Sequence, residues 1–143
     1  RPKVPSYLPI LLVDDETFNL DVLSLYLKKL GMENILKAKN GMDAFMLYKH
    51  STEAGIPIKL ITMDLEMPLM NGKEACKKIR KYEKENKMDP CPIIMISGNC
   101  TEGEIKECLD PSGSIAALNF LKKPVKYEDL KNIIHSLFIK DQI

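Results

Sequence analysis

Five polar side chains lie at the ends of four well-separated apolar runs of the sequence. Three are carboxylates, one is a hydroxyl and one is an ammonium: Asp14, Asp15, Asp64, Ser97 and Lys123. Carboxylates brought together by folding would repel one another unless a cation lay among them. A hard divalent ion such as Mg²⁺ suits these oxygens and keeps coordination positions for phosphate oxygens. With the hydroxyl and the ammonium as donors to a phosphoryl group, the set predicts phosphoryl chemistry.

The runs that precede these residues have the length and composition of β-strands. Five of them alternate with longer amphipathic stretches, which predicts repeated βα units and a parallel sheet in an α/β fold. In such a sheet, ligands bind at the carboxyl ends of the strands, and this is where the five polar residues fall. The predicted strands are residues 9–13, 35–38, 60–63, 93–96 and 119–121.

The stretches between the strands carry apolar residues at helical spacing. The clearest is the last, where one buried stripe is predicted for Leu130, Ile133, Ile134, Leu137 and Phe138. Thr101 and Glu104 match a capping box, which predicts the start of a short fourth helix. Gly31 is expected to end the first helix, and residues 110–116 form the longest predicted irregular stretch within the domain.

The composition is that of a soluble globular domain. The chain has 21 basic and 20 acidic residues, so its net charge of +1 gives no electrostatic footprint for nucleic acid or an anionic membrane. Four cysteines without a Cys-x-x-Cys pair indicate reduced thiols and a cytoplasmic location, even if the parent protein is anchored to a membrane. We predict a domain at residues 9–139, a linker at 1–8 and a tail at 140–143. The start at Arg1 favours a domain cut from a longer protein.

Four segments of the chain resemble the receiver domains of response regulators and hybrid histidine kinases. They are residues 13–16 with Asn19, residues 63–72, residues 95–97, and Lys123 with Pro124, and the segment 63–72 is the most specific. The resemblance covers roughly residues 10–138. It implies a flavodoxin-like (βα)5 fold with a five-stranded parallel sheet of order 2-1-3-4-5 and helices on both faces. Receivers attached to hybrid histidine kinases are the most similar, and a free-standing regulator is the alternative.

The resemblance implies that Asp64 is a phosphoacceptor. It would take a phosphoryl group from the phosphohistidine of a histidine kinase or a histidine phosphotransfer protein. Asp15, Asp64 and the backbone carbonyl of Glu66 would bind Mg²⁺, with Asp14 assisting through water. Such a domain promotes its own phosphorylation and dephosphorylation and is not an enzyme with a separate substrate. Neither direct nucleic-acid binding nor membrane contact is expected of it.

The resemblance also implies a conformational switch. Ser97 and Lys123 would contact the phosphoryl group, and Phe120 stands where the family carries an aromatic that turns inward. Negative charge added at Asp64 would draw Ser97 and Lys123 toward it. The face formed by the fourth helix, the fifth strand and the fifth helix would then adopt a second packing.

Three departures from the family pattern qualify these roles. Ser97 is followed by Gly98, where many members have Ala, so a looser loop is expected there. Glu66 and Asn99 border the position of the water that hydrolyses the phosphoaspartate, and we predict that they set the lifetime of the phosphorylated state. Because of the long segment 110–114, the resemblance does not identify which face of the domain passes the signal on.

Several of these residues also have a structural explanation. Asp14 and Asp15 could cap the first helix. Lys122 competes with Lys123 for the site, and we prefer the lysine before the proline because proline holds its predecessor extended. The basic run at residues 77–81 is expected to be the solvated face of the third helix.

Three other functions remain as alternatives. A pseudo-receiver that binds partners without chemistry is disfavoured by the complete set of five polar residues. A phosphatase with an aspartate nucleophile would carry a second Asp where this chain has Glu66. A nucleotide-binding Rossmann domain would need a glycine-rich turn after the first strand, where acidic residues stand instead.

Overall fold

The computed structural model describes residues 7–139 and, for Ile139, the backbone alone. The predicted linker and tail therefore lie largely outside the described residues. Within these described residues, five strands alternate with five α-helices, and a π-helical segment, His135–Ile139, follows the last α-helix. The elements are β1 (Ile10–Val13), α1 (Thr17–Lys29), β2 (Ile35–Ala38), α2 (Gly41–Glu53), β3 (Leu60–Asp64), α3 (Gly72–Glu85), β4 (Ile93–Ser97), α4 (Glu102–Leu109), β5 (Asn119–Lys122) and α5 (Tyr127–Ile134).

The five strands form one parallel sheet with the order β2-β1-β3-β4-β5. This order confirms the predicted fold. The strand bounds agree with the sequence to within one residue. β1 begins at Ile10 rather than Pro9, because proline has no amide hydrogen to donate. β3, β4 and β5 each extend one residue further than predicted, to Asp64, Ser97 and Lys122.

Both faces of the central strands are covered. Side chains alternate across a strand, so Leu11 and Val13 of β1 point into the cluster beneath α2 and α3. Ile10 and Leu12 point into the cluster beneath α1 and α5. All four are nearly inaccessible to solvent, which explains why β1 is apolar throughout.

The helix ends follow local capping chemistry. Asn71 accepts a hydrogen bond from the Glu74 amide at the start of α3. The capping box predicted for Thr101 and Glu104 is present at the start of α4. Gly31 ends α1 as predicted, with φ of +86°, a left-handed conformation that glycine adopts without a steric penalty.

Two further sequence predictions are confirmed. The chain between α4 and β5 contains no helix or strand, and this stretch includes the predicted irregular segment 110–116. The four cysteines are free thiols.

Within residues 7–139, no helix combines the length and the apolar character that crossing a membrane requires.

Arg80 corrects the prediction that residues 77–81 are solvated. The three lysines of the run are exposed, but Arg80 is only 8% exposed. Its guanidinium donates to Glu83 Oε1 at 2.9 Å and to the backbone carbonyl oxygens of Cys91 at 2.9 Å and Ile115 at 2.8 Å. Arg80 is buried because α3 packs against the chain segments that lead into β4 and β5, whose carbonyl groups need donors.

Glu83 completes this buried network. Its Oε2 accepts hydrogen bonds from the Tyr48 hydroxyl at 2.6 Å and from the Cys91 amide at 2.8 Å. Cys91 lies two residues before β4, so the network is toward the amino ends of the strands, away from the predicted site. We call Tyr48, Arg80, Glu83 and Cys91 the amino-end network.

Candidate functional site

The carboxyl ends of β1, β3 and β4 bring the predicted site residues to one edge of the sheet. Val13 pairs with Met63 in the parallel register, so the next residues, Asp14 and Asp64, stand side by side. Ser97 ends the neighbouring strand β4. Residues far apart in the sequence therefore meet because three parallel strands end at the same level.

Asp14, Asp15 and Asp64 form an acidic triad. Each offers one carboxylate oxygen, and these oxygens lie within 4.8 Å of one another. Asp14 and Asp64 are 3% and 1% exposed, whereas Asp15 is exposed. The triad thus has two acids at the bottom of the cleft and one at its rim.

Lys123 reaches the same cleft from the end of β5. Its Nζ lies 3.0 Å from Asp64 Oδ1 and 3.2 Å from Asp14 Oδ2. The Lys123 amide donates to the Ser97 carbonyl at 2.9 Å, and the Lys123–Pro124 peptide bond is cis. Lys122 is exposed, so the structure brings the lysine before the proline into the cleft, as predicted.

The two buried acids differ in how their oxygens are satisfied. Asp14 accepts hydrogen bonds from the Glu16 amide at 2.9 Å and from the Asn19 side-chain amide at 3.1 Å. Neither oxygen of Asp64 accepts an aligned hydrogen bond from any residue in the range 7–139, although the Lys123 ammonium pairs with it electrostatically. Buried polar atoms normally have partners, so the bare Asp64 carboxylate points to a ligand.

The same environment shifts the pKa values in the cleft. Burial raises the pKa of the Asp64 carboxyl to about 6. The Lys123 ammonium acts in the opposite direction, and the charges of Asp14 and Glu66 add to the rise. Burial alone would lower the pKa of Lys123, but its pairs with Asp64 and Asp14 raise it above its usual value. Lys123 is therefore a permanent cation in the cleft.

Ser97 has a defined hydrogen-bond partner in the structure, while its predicted contact with a phosphoryl group remains a prediction. The side chain is fully buried, and its Oγ donates to Glu66 Oε1 at 2.5 Å rather than to Asp64. The Asn99 amide donates to the same Oγ at 3.2 Å. Glu66 thus enters the site through its side chain, while the role predicted for its backbone carbonyl remains a prediction.

Phe120 lies beside the site rather than in it. It is half-buried in β5, pairs with Met95 of β4, and packs against the apolar cluster beneath α2 and α3. Its position next to β4 is consistent with the predicted switch, which remains a prediction.

Sequence reasoning gave no role to Asn19 and Gly72, although both lie in the segments that carry the resemblance. Asn19 orients Asp14 through its amide. At Gly72 an added Cβ would lie 2.2 Å from the Asp64 carbonyl oxygen, so only glycine lets α3 begin this close to the end of β3. The available signals were the position of Asn19 in the first turn of α1 and the Asn71-Gly72 pair at the start of α3.

The donor set of the cleft fits a divalent cation. The acidic triad offers hard oxygen ligands, and the two Asp64 oxygens accept no aligned hydrogen bond from the described residues, although the Lys123 ammonium pairs with one of them. Mg²⁺ favours one or two carboxylates with remaining positions for water or phosphate oxygens. The rim position of Asp15 and the cleft opening leave room for such ligands.

Comparison with known proteins agrees with this geometry. A histidine kinase of Schizosaccharomyces pombe, the peroxide stress-activated histidine kinase mak1, is 34% identical over 129 residues, which are 90% of this chain. The chain spans only 7% of that relative's length. The chain is therefore similar to one small section of a much longer histidine kinase.

Two solved structures have the same fold. One is the co-crystal structure of the Saccharomyces cerevisiae histidine phosphotransfer protein Ypd1 and the receiver domain of its downstream response regulator Ssk1, with a TM-score of 0.80 and 26% identity. The match covers 99% of this chain and 95% of that chain. The other is the receiver domain of the sensor histidine kinase PA1611 from Pseudomonas aeruginosa, with magnesium in its active-site cleft. Its TM-score is 0.71 at 26% identity, over 91% of this chain and 96% of that chain.

The family itself is identified by a sequence match over most of the domain. The match spans residues 10–135 and includes all three acids of the triad, together with Ser97 and Lys123. The chain belongs to the response regulator receiver domain family, a component of two-component signalling.

Proposed function

We propose that Asp64 is the phosphoacceptor of this receiver domain, in a Mg²⁺-dependent transfer from phosphohistidine. The observation that carries the proposal is the Asp64 carboxylate itself. It is buried, lacks aligned hydrogen bonds within residues 7–139, and lies 3.0 Å from the Lys123 ammonium. A carboxylate in this state is available to form a new bond, and a cation already stands beside the charge that would develop.

The transfer is a displacement at phosphorus. An oxygen of the Asp64 carboxylate attacks the phosphorus atom, and the bond from phosphorus to the donor imidazole nitrogen breaks. The bonding electrons return to that nitrogen, and the product is an acyl phosphate on Asp64. Lys123 remains close enough to pair with a phosphoryl oxygen, and the Ser97 hydroxyl is the second candidate donor at the end of β4.

Asp15, Asp64 and the Glu66 carbonyl would hold Mg²⁺, with Asp14 assisting through water. When bound, the ion supplies positive charge that offsets the repulsion between the carboxylates and an incoming phosphoryl group. Asp14 is held for this role by the Asn19 amide and the Glu16 backbone amide. Free thiols at all four cysteines suit a reducing compartment such as the cytoplasm, where we place the reaction.

The phosphodonor partner is proposed to be a histidine kinase or a histidine phosphotransfer protein. A donor imidazole must reach the bottom of the cleft, so its protein must cover the rim. Part of the rim is a groove of about 540 Å³ lined by Asp14, Phe18, Lys123 and Pro124 among others. Phe18 is 74% exposed beside this groove, which suits an apolar contact with such a partner.

Phosphorylation is proposed to switch the α4–β5–α5 face through Ser97 and Phe120. Ser97 and Phe120 lie on the adjacent strands β4 and β5, whose register pairs Ser97 with Lys122. A Ser97 side chain drawn toward a phosphoryl group would leave space near β5 that Phe120 could fill. The half-buried state of Phe120 leaves it room to move inward.

Intact mass measurement tests the proposed function. The protein is incubated with Mg²⁺ and either acetyl phosphate or a phosphorylated histidine phosphotransfer protein. Wild type should gain one phosphoryl group, Asp64→Asn should gain none, and the matched control Asp89→Asn, an exposed acid outside the cleft, should behave as wild type. A phosphorylated Asp64→Asn would contradict the assignment, and steady donor consumption without adduct would indicate a phosphatase. Hydrogen exchange in α4 and β5 of the same samples should change on phosphorylation if the face switches.

A further inference from the structure

The hydrogen bond between Ser97 and Glu66 crosses from β4 to the loop after β3. Ser97 is inaccessible to solvent, and its Oγ donates to Glu66 Oε1 at 2.5 Å. The Asn99 amide donates to the same oxygen at 3.2 Å, which fixes the direction of the hydroxyl from the other side. The Leu65 amide donates to the Ile96 carbonyl at 2.9 Å and holds the loop against β4. The serine side chain therefore has a defined orientation in the unphosphorylated protein.

A hydroxyl group has one proton to donate. While Ser97 donates to Glu66, it cannot donate to a phosphoryl oxygen on Asp64. We propose that Glu66 is a positioning residue that holds the Ser97 hydroxyl in the resting state, so that this hydrogen bond must break before Ser97 can contact the phosphoryl group. The inference rests on the proposed function of Asp64, and it makes Glu66 a determinant of how readily the domain becomes activated.

A second effect of Glu66 has to be separated from this one. Its carboxylate is a negative charge two residues after Asp64, and it would repel a phosphoryl group whether or not it accepts a bond from Ser97. Repulsion acts on the phosphoryl group directly, whereas the proposed hydrogen bond acts through the serine. The two explanations therefore differ in whether the effect of Glu66 requires the Ser97 hydroxyl.

A double-mutant cycle makes this separation. Beryllofluoride with Mg²⁺ serves as the probe for the phosphoryl group, and its dissociation constant is measured by calorimetry. Glu66→Ala should bind the probe about three- to tenfold more tightly than wild type, as expected for release of one hydrogen bond of ordinary net strength whose acceptor is exposed to solvent. In a Ser97→Ala background the same Glu66→Ala change should have a clearly smaller effect, which is the part that repulsion alone contributes. An equal factor in both backgrounds would overturn the proposal in favour of simple repulsion.

A measurement on the unliganded protein gives an independent test. Ser97 is fully buried, although its acceptor Glu66 is exposed. A hydroxyl proton on a buried side chain that is held in a short hydrogen bond exchanges slowly with water, so the Ser97 hydroxyl should give a resolved proton resonance in wild type. The resonance should persist in Glu66→Gln, which keeps an acceptor oxygen, and disappear in Glu66→Ala. Glu102→Ala, an exposed acid at the start of α4, is the matched control and should leave it unchanged. Retention of the resonance in Glu66→Ala would overturn the proposal.

These two measurements also separate the inference from the proposed function. If wild type binds no beryllofluoride and takes no phosphoryl group, the function of Asp64 is wrong, and the resonance still reports whether Glu66 holds Ser97. If wild type binds the probe but the cycle shows no dependence on Ser97, the function stands and the positioning role of Glu66 is wrong.

Discussion

The domain buries charged groups at both ends of its sheet, but the carboxylates at the two ends differ in how many hydrogen bonds they accept. In the amino-end network, all three donors that Glu83 needs are present, from Tyr48, Arg80 and the Cys91 amide. At the carboxyl end, Asp64 is equally buried, but neither of its oxygens accepts an aligned hydrogen bond from residues 7–139. Glu83 accepts three hydrogen bonds, whereas Asp64 accepts no aligned hydrogen bond and is therefore open to a ligand.

This difference separates a structural charge from a functional one. The amino-end network joins α2 and α3 to the segments that lead into β4 and β5, and it stabilises the fold because each buried group has its partner. The Asp64 carboxylate destabilises the unliganded fold, since its burial outweighs the pairing with the Lys123 ammonium and favours the neutral form. Burial alone would not have distinguished the two sites, whereas the count of hydrogen bonds does.

Of the substitutions considered in the two regions, one in the amino-end network should change the free energy of unfolding most. Arg80→Ala should lower the free energy of unfolding by about 3–5 kcal/mol, because it leaves Glu83 as a buried charge without its cation. The carbonyl groups of Cys91 and Ile115 would also lose their donor. Urea titration at constant pH measures this change.

Lys84→Ala is the matched control for Arg80→Ala, since Lys84 is an exposed cation on the same helix. It should change the free energy of unfolding by less than about 0.5 kcal/mol. Equal losses in the two variants would mean that the network does not act as a buried ion pair.

The second prediction has the opposite sign and concerns the cleft. The pKa of the Asp64 carboxyl is about 6 in the folded protein and is usually 3.8, so the folded state holds this proton more tightly than the unfolded chain. Stability from this group is therefore lost as the pH rises from about 4 to about 6, and it stays lost above that range. Near neutral pH and without metal, Asp64→Asn should raise the free energy of unfolding by about 1–3 kcal/mol.

Urea titrations of wild type and Asp64→Asn between about pH 4 and about pH 7.5 measure this difference. The gain from the substitution should be greatest at the upper end of the range and should shrink as wild-type Asp64 becomes protonated. Asp89→Asn serves again as the control. A stability loss in Asp64→Asn at neutral pH would contradict the view that its charge is unsatisfied.

How far the sequence could predict these two regions differs for a physical reason. Asp14, Asp64 and Lys123 were predictable because each lies at or just after the carboxyl end of a strand, and the ends of parallel strands meet at one edge of the sheet. Arg80 and Glu83 were not, because a basic and an acidic residue three apart on a helix are also typical of a solvated surface. Their burial depends on chain segments that fold against α3 from far along the sequence.

The partner of Ser97 was unpredictable for a different reason. The strand pattern fixes where the Ser97 backbone lies, but it does not determine which acceptor the hydroxyl reaches. The resemblance implied a contact with a phosphoryl group, which remains a prediction, and it gave no partner for the unphosphorylated protein, where the structure shows Glu66. Element positions follow from periodicity, whereas the choice between nearby acceptors depends on side-chain torsions that periodicity does not determine.

The smallest predicted effect is the response of the cleft to metal. At about ten times its dissociation constant, Mg²⁺ should raise the free energy of unfolding of wild type by about 1.4 kcal/mol, because it binds the folded acidic triad and not the unfolded chain. Urea titrations with MgCl₂ and with a chelator measure the difference.

The variants of the two regions should respond to Mg²⁺ differently. Arg80→Ala should gain as much stability from the ion as wild type does, because the amino-end network has no contact with the triad. Asp64→Asn should gain much less, since it removes one of the three carboxylates. An equal gain in Asp64→Asn would place the ion elsewhere on the protein. A ligand other than Mg²⁺ would then be needed to explain why the folded protein gives the buried Asp64 carboxylate no aligned hydrogen bond.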